Sequence, residues 1–379
     1  MENPNQENCS IRPMVSIVVP VYNGLRNGLK ECLTSLKKQN YSNFEIILVD
    51  DCSPDKSRSF SEDFLTGMEN ITIISNNKNL GLSRTWNIGI SKAKGELLLL
   101  MHQDCALIND QQLSDGVRYL QDNEELDGLI GNQIIYFDRM GKPEKIMELR
   151  QAHLSVDNLE IDLTENKCDL IKKSTILKLG GFDEMTRNAG EDWLISLKLK
   201  ERNSMVKQTP SFCYYDTLRD KSSYSGLIRK EFSYGMSMPL ILFSKILKSR
   251  NKLHVNSSSL MGKKIRNRVF SLLPTAALIC LILDLTLLKS EVLLSFILFL
   301  FIFRVLIVQA DISKSYKAKL WDKRVDFSAL VLSLMLDLTY NLGALLGIFN
   351  ILKANKGKKL DLDHDKNLNI ASSESEQIN

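Results

Sequence analysis

The sequence predicts an α/β fold, a mainly parallel sheet flanked by helices, followed by a C-terminal transmembrane helical region. Three observations carry that prediction. Short β-branched runs alternate with amphipathic, helix-length segments from Met14 to about residue 200, the density expected of a sheet covered on both faces. The strand-like runs end in polar residues, and in open α/β sheets ligands sit beyond the carboxyl ends of the strands. From Val269 to Leu352 the chain is dominated by Leu, Ile, Phe and Val, so the average of 44% hydrophobic and 25% charged residues hides a membrane segment.

The first strand is expected at Met14 to Tyr22, a β-branched run stopped by Asn23-Gly24. Gly28 to Lys38 puts Leu29, Cys32, Leu33 and Leu36 at helical spacing. Phe44 to Val49 is the next strand and runs into Asp50-Asp51 and a Cys-Ser-Pro-Asp turn. A helix follows at Ser57 to Thr66, then a strand at Ile71 to Ser75 and a helix from about Ser83 to Ser91. Gly95 to Asp104 reads Gly-Glu-Leu-Leu-Leu-Leu-Met-His-Gln-Asp. Its apolar run needs burial on both faces, which makes it the central strand, and it hands over directly to three polar residues. Further on, Asp110 to Asn123 is a helix, Leu129 to Phe137 a strand, and Asp138 to Asn166 a stretch of little periodicity. Cys168 to Lys173 is a short strand leading into a helix that Gly180-Gly181 stops, and Glu191 opens a helix carrying Leu194, Leu197 and Leu199.

Composition narrows the function. The seven cysteines are odd in number and contain no Cys-x-x-Cys, which argues against a disulfide framework or a zinc site and for a reducing compartment. Met1 to Pro13 has no apolar core, so no cleavable signal peptide is expected. A formal charge of +4 is too small to imply nucleic acid, and the basic clusters flank the apolar segments. Neither Gly-x-Gly-x-x-Gly nor a Gly-Lys-Ser/Thr loop is present, so a dinucleotide or ATPase reading is weak. Acids at strand ends suit a metal-bound diphosphate or the hydroxyls of a nucleoside.

Six short pieces then carry a resemblance. Val-Val-Pro-Val-Tyr-Asn (18–23), Ile-Leu-Val-Asp-Asp-Cys-Ser (47–53), the Asn-Gly series at 79–89, His-Gln-Asp (102–104), Gly-Gly-Phe-Asp-Glu (180–184) and Glu-Asp-Trp (191–193) occur in order over Met14 to Lys200. The series resembles the signature of family 2 inverting glycosyltransferases of GT-A fold. The resemblance implies a nucleotide-diphospho-sugar donor, with Pro20, Tyr22 and Asn23 bordering the nucleoside and Asp50 and Asp51 meeting base or ribose. Arg84, Asn87 and Gln103 complete the donor set, Arg84 near the diphosphate. Asp104 matches the last acid of the family's Asp-x-Asp metal motif, and His102 stands where the first acid is expected. That departure favours Mn²⁺ over Mg²⁺, because imidazole is a softer ligand than carboxylate. Asp192 matches the general base of a single-displacement transfer, with Glu191 in support. Both have a structural alternative, since acids at a helix N-terminus complement its dipole. The Gln-x-x-Arg-Trp motif of processive relatives is absent, so transfer is expected to be non-processive, and residues 138–166 are expected to form a loop over the acceptor side.

The expected domains are a disordered N-terminus (1–13), a GT-A domain (14–250), a basic linker (251–268), a membrane region (269–352) and a disordered polar tail (353–379). Within the membrane region, Val269 to Leu288 and Val292 to Ala310 are each long enough to span about 30 Å of hydrocarbon. Lys263, Lys264, Arg266 and Arg268 precede the first, and Lys314 to Arg324 follow the second. By the positive-inside rule the catalytic domain of this multi-pass protein faces the cytoplasm, at the cell membrane. The third apolar segment, Phe327 to Leu352, is either spanning or re-entrant, given Asp337, Asn341, Gly343 and Gly347 inside it. An ion in hydrocarbon needs a partner or a route to water, so Arg304 is expected to pair with Asp337 or to snorkel. A membrane-borne acceptor follows, a lipid-linked glycan or a polyprenyl phosphate. Two alternatives stay open: a nucleotidylyltransferase of similar fold, and a catalytically inactive membrane scaffold.

Overall fold

The computed structural model describes residues 12–134, 164, 166–184, 190–217, 223–246, 272, 275, 297–309 and 327–357. The expected N-terminal segment before residue 12, the basic linker 251–268 and the tail beyond 357 lie outside the described residues, as do most of 135–165 and 269–296. Two compact units result. One comprises 1–136, 154–187 and 195–218; the other comprises 137–153, 188–194 and 219–379.

The first unit is built on strands β1 (Val15–Val21), β2 (Phe44–Asp50), β3 (Ile71–Ser75), β4 (Leu97–Met101), β5 (Cys105–Leu107), β6 (Gly128–Gln133), β7 (Cys168–Lys172) and β8 (Val206–Asp216). Its helices are α1 (Leu29–Lys37), α2 (Ser57–Phe64), α3 (Leu82–Lys92), α4 (Gln112–Asp122), α5 (Lys173–Lys178) and α6 (Glu191–Glu201), the last with its first turn in the other unit. The strand order is β3-β2-β1-β4-β7-β6-β8-β5, which puts β4 inside the sheet as its apolar run requires. β3, β2, β1 and β4 are parallel. Beyond β4 the sheet becomes mixed, because β7 enters antiparallel to both β4 and β6, β8 returns parallel to β6, and β5 is antiparallel to β8. The expectation of a mainly parallel sheet therefore describes the first half, and the second half departs from it.

Alternation along the central strands feeds two cores. Val15, Ile17, Val19 and Leu99 face one side with Leu29, Leu33 and Leu36 of α1, while Val18, Leu98 and Leu100 face the other with Trp86 and Ile90 of α3. α3 lies close on the sheet: a Cβ at Gly89 would come within 2.3 Å of Val18 Cγ1, so only glycine fits there. Pro20 sits within β1 although proline cannot donate to a ladder. The β1–β4 pairing ends at Val18–Leu100, two residues earlier, so the missing N–H falls where β4 has already parted from β1.

The second unit contains α7 (Tyr224–Ile246), α8 (Ile297–Gln309) and α9 (Phe327–Gly357). α9 runs without a break through Asp337, Asn341, Gly343 and Gly347. Glycines let α7 and α9 meet backbone to backbone: a Cβ at Gly235 would lie 1.9 Å from the Tyr340 carbonyl oxygen, and one at Gly343 2.3 Å from that of Phe232. The polarity of α9 is inverted relative to a water-soluble helix. Val331, Met335, Leu338, Leu342, Leu345, Leu346 and Phe349 are exposed, whereas Ser333, Asp337, Tyr340 and Asn341 are buried. α8 repeats this, exposing Leu298, Phe299, Phe301, Ile302, Phe303 and Leu306 and burying Arg304. Arg304 meets Asp337 in a two-pronged pair, Nε to Oδ2 at 2.7 Å and Nη2 to Oδ1 at 3.2 Å. Of the two expectations for Arg304, pairing is the one realised. Asn341 likewise donates to Thr275 Oγ1 at 2.7 Å. Among the described residues, Val331–Phe349 is the stretch long and apolar enough to cross a membrane.

Candidate functional site

The carboxyl ends of β1, β2 and β4 carry most of the residues singled out in the sequence. At the end of β1 the chain turns through Asn23 in the left-handed region (φ 52°). At the end of β2, Cys52 adopts φ 60°, an unusual conformation for a residue other than Gly or Asn, and the kind of local strain that collects at functional sites. Ser57 binds these turns together. Its buried hydroxyl oxygen accepts from the N–H groups of Gly24 and Leu25 at 2.7 and 3.2 Å and donates to the Asp55 carboxylate. Those two N–H groups are the ones a phosphate-cradling loop after the first strand would have to present to a ligand. Their engagement by Ser57 argues against the nucleotidylyltransferase alternative.

The acids of β2 have separate roles. Asp51 is buried; its Oδ1 accepts from Asn76 Nδ2 and Leu80 N–H at 2.8 Å, and its Oδ2 from Gly81 N–H at 2.9 Å. Most of its acceptor capacity therefore holds the 76–81 loop, where Gly81 takes φ 89° ahead of α3. Asp50 Oδ2 accepts from Ser53 N–H at 3.2 Å, and its buried Oδ1 has no partner among the described residues.

Gln103 and Asn87 act as clasps. Gln103 Oε1 accepts from Tyr22 N–H at 2.9 Å while its Nε2 donates to the Tyr22 carbonyl at 2.8 Å. Asn87 does the same to Phe182, accepting from its N–H at 2.9 Å and donating to its carbonyl at 3.0 Å. Gly181, at φ 69°, has no room for a Cβ because Asn87 Oδ1 would lie 2.6 Å away. Arg84 lies on the surface in an ion pair with Glu184 at 2.7 Å, both about half exposed. Tyr22 keeps an exposed side chain.

His102 and Asp104 face each other beyond β4, Nδ1 to Oδ1 at 3.8 Å and both about a quarter exposed. The His102 ring leans on the fully buried Trp86, with centroids 5.8 Å apart, and Trp86 stacks on Phe182. An imidazole and a carboxylate facing each other are a donor set that would hold one divalent cation between them. No group of three such side chains occurs among the described residues. The residues therefore fit a site that two side chains open and that phosphate and water oxygens complete, a common arrangement for phosphate-binding cations.

Around this pair the structure gathers residues that sequence reasoning missed. Lys167 accepts the His102 N–H on its carbonyl at 2.9 Å, and its Nζ pairs with Asp216 Oδ2 at 3.0 Å. Asp216 stands opposite Cys105 in the β5–β8 ladder, and Thr217 donates its N–H to the Asp104 carbonyl at 2.8 Å. Lys167 and Asp216 sit at the mouths of β7 and β8, and only knowledge of the strand order makes them neighbours of Asp104.

In the second unit, Glu191 and Asp192 open α6 behind Gly190, which takes φ 97°. Glu191 is buried, and burial first, then the neighbouring Asp192, pushes its carboxyl up to about 8. Asp192 is half-buried, and its Oδ1 accepts from the Trp193 N–H at 2.9 Å. Of the two acids, Asp192 is the one open to a reaction partner.

Residues 16–178 match the family described as Glycosyl transferase family 2. Glycosyltransferase GlyG of Streptococcus pneumoniae serotype 4 is 32% identical over 128 residues, which cover 34% of this chain and 42% of that protein. An uncharacterized glycosyltransferase of Haemophilus influenzae is 27% identical over 222 residues, covering 55% of this chain and 71% of its own. The chain thus spans less than half the length of the first of these relatives. The fold resembles that of the mannosyltransferase PcManGT from Pyrobaculum calidifontis, whose structure is a complex with GDP-Man and Mn²⁺ (TM-score 0.57, 16% identity, 88% of each chain).

Proposed function

Because the chain belongs to glycosyltransferase family 2 through residues 16–178, we propose that it transfers a sugar from a nucleotide-diphospho-sugar to a membrane-borne acceptor by inverting, non-processive single displacement. The observation that carries this reading is the facing imidazole and carboxylate of His102 and Asp104, 3.8 Å apart at the end of the central strand. With a divalent cation bound, they supply charge neutralisation for a leaving diphosphate. Pro20, Tyr22, Asn23, Asp50 and Asp51 border the nucleoside, Asp51 chiefly by holding the 76–81 loop. Asn87 and Gln103 serve by fixing the backbone around the donor. Arg84 steers the diphosphate from the surface.

Asp192 accepts the proton of the acceptor hydroxyl as that oxygen attacks the anomeric carbon. Its partial exposure at a helix N-terminus supports the role, since the helix dipole favours a carboxylate there. Beside it in the chain, Glu191 is buried, and burial and the neighbouring Asp192 push its carboxyl up to about 8. The inverted polarity of α8 and α9 supports membrane embedding, and a lipid-linked acceptor fits an enzyme so anchored. The basic segments flanking the apolar ones support a cytoplasmic catalytic domain and a multi-pass arrangement.

The test is Asp192→Asn, which keeps shape and removes basicity. Nucleoside diphosphate release from a panel of UDP- and GDP-sugars should fall on the order of 10²-fold or more. Donor affinity, read by calorimetry, should remain close to that of the parent. Parental turnover in this variant would remove Asp192 from the mechanism.

A further inference from the structure

We propose that Lys167 is a donor-binding residue, its ammonium reaching from Asp216 to a diphosphate oxygen held at His102 and Asp104. This deepens the glycosyltransferase reading and rests on it. Three features lead to it. The Lys167 backbone is tied to the metal motif itself through the His102 N–H, at 2.9 Å. Its side chain is aimed by Asp216 at 3.0 Å, and the strand partner of Asp216 is Cys105, next to Asp104 in the chain. Thr217, next to Asp216, closes the ring by donating both its N–H (2.8 Å) and its hydroxyl (3.1 Å) to the Asp104 carbonyl.

The charges explain why a lysine belongs there. By residue type the edge brings two carboxylates, Asp104 and Asp216, and one ammonium, Lys167, an excess of one negative charge that one divalent cation would turn positive. Without Lys167 the loaded edge would be only neutral, a poor host for a diphosphate anion. Asp216 is about one-tenth exposed and Lys167 about one-fifth, so the ion pair fixes the direction of the ammonium. An ammonium carries three donors, so Lys167 can keep Asp216 and take a phosphate oxygen together. No covalent step is involved.

The experiment measures binding rather than turnover. UDP, GDP, UMP and GMP are titrated by calorimetry, with Mn²⁺ present, into the full chain in detergent and into its Lys167→Gln and Lys167→Arg variants. Lys167→Gln should weaken the diphosphate that the parent binds about tenfold or more, the scale of one lost charge-assisted hydrogen bond. The matching monophosphate should change by less than about threefold, and Lys167→Arg should restore most of the loss. The carbonyl bond to His102 survives all these changes, and Lys167→Met replaces the glutamine variant if that one folds poorly. Equal losses for mono- and diphosphate, or no loss at all, would overturn the role of Lys167 while leaving the glycosyltransferase reading intact. A parent chain that binds neither UDP nor GDP would instead remove the donor site, and this proposal with it.

Discussion

Cutting one side of the Arg304–Asp337 pair should be among the most damaging single changes in the second unit. The two side chains are 8% and 0% exposed and share hydrogen bonds of 2.7 and 3.2 Å, a geometry that satisfies both oxygens of the carboxylate. Removing one partner strands the other as a buried ion, which typically costs about 3–5 kcal/mol. Arg304→Met and Asp337→Leu should each lose stability on that scale. The double variant should recover most of it, because two apolar groups replace a pair whose desolvation largely cancels its attraction. The exchanged pair, Arg304→Asp with Asp337→Arg, should recover part. Denaturant unfolding in detergent micelles, followed as a double-mutant cycle, reads this directly, with an expected coupling of about 5 kcal/mol or more, the two single losses less the small residual loss of the double. Both single variants lying within about 0.5 kcal/mol of the parent, the range of an ordinary surface change, would refute the argument.

Glu191 offers a test in solution conditions. Its carboxyl titrates near 8 when folded against an ordinary 4.5, so the folded chain holds a proton that the unfolded chain has released across that window. The stability it contributes is complete below about pH 4.5 and falls as pH rises towards 8, where the folded form ionises too. Glu191→Gln should flatten that slope by about one proton in urea titrations between pH 5 and 8; an unchanged slope would deny the burial its electrostatic consequence. His102→Asp should move metal preference from Mn²⁺ towards Mg²⁺, because a carboxylate is the harder ligand. Calorimetric binding of nucleoside diphosphate in each metal reads the shift, and an unaltered ratio would return His102 to a packing role against Trp86.

The sequence makes legible those parts of the fold that strong local patterns dictate. β1, β2, β3 and α1 fall within about two residues of their expected bounds because β-branched runs and helical spacing leave little choice. β5, three residues long, and β8, interrupted by Pro210, carry no such pattern, and both escaped notice. The mixed half of the sheet was hidden for a related reason: strand direction depends on which strand is met, which is not a local property. In the site, residue types at strand ends were informative about location but not about use. Nothing in Asp51 or Asn87 says that the carboxylate will be spent on Leu80 and Gly81, or the amide on Phe182. The Arg304–Asp337 pair was readable because the cost of an ion in hydrocarbon leaves few options.

The Gln103 clasp bears on how such a protein can change over time. The β1–β4 ladder stops at Val18–Leu100, and the Gln103 amide then re-forms a two-bond rung with Tyr22. Both bonds go to the Tyr22 backbone, so the rung does not depend on which side chain residue 22 carries. Gln103 is held to its identity, since glutamate lacks the donor and asparagine the reach. Residue 22, with its side chain 42% exposed at the rim, is free to vary. One position thus keeps the scaffold shut while its neighbour across the gap can be exchanged, which lets a lineage retune what the rim recognises without rebuilding the sheet beneath it.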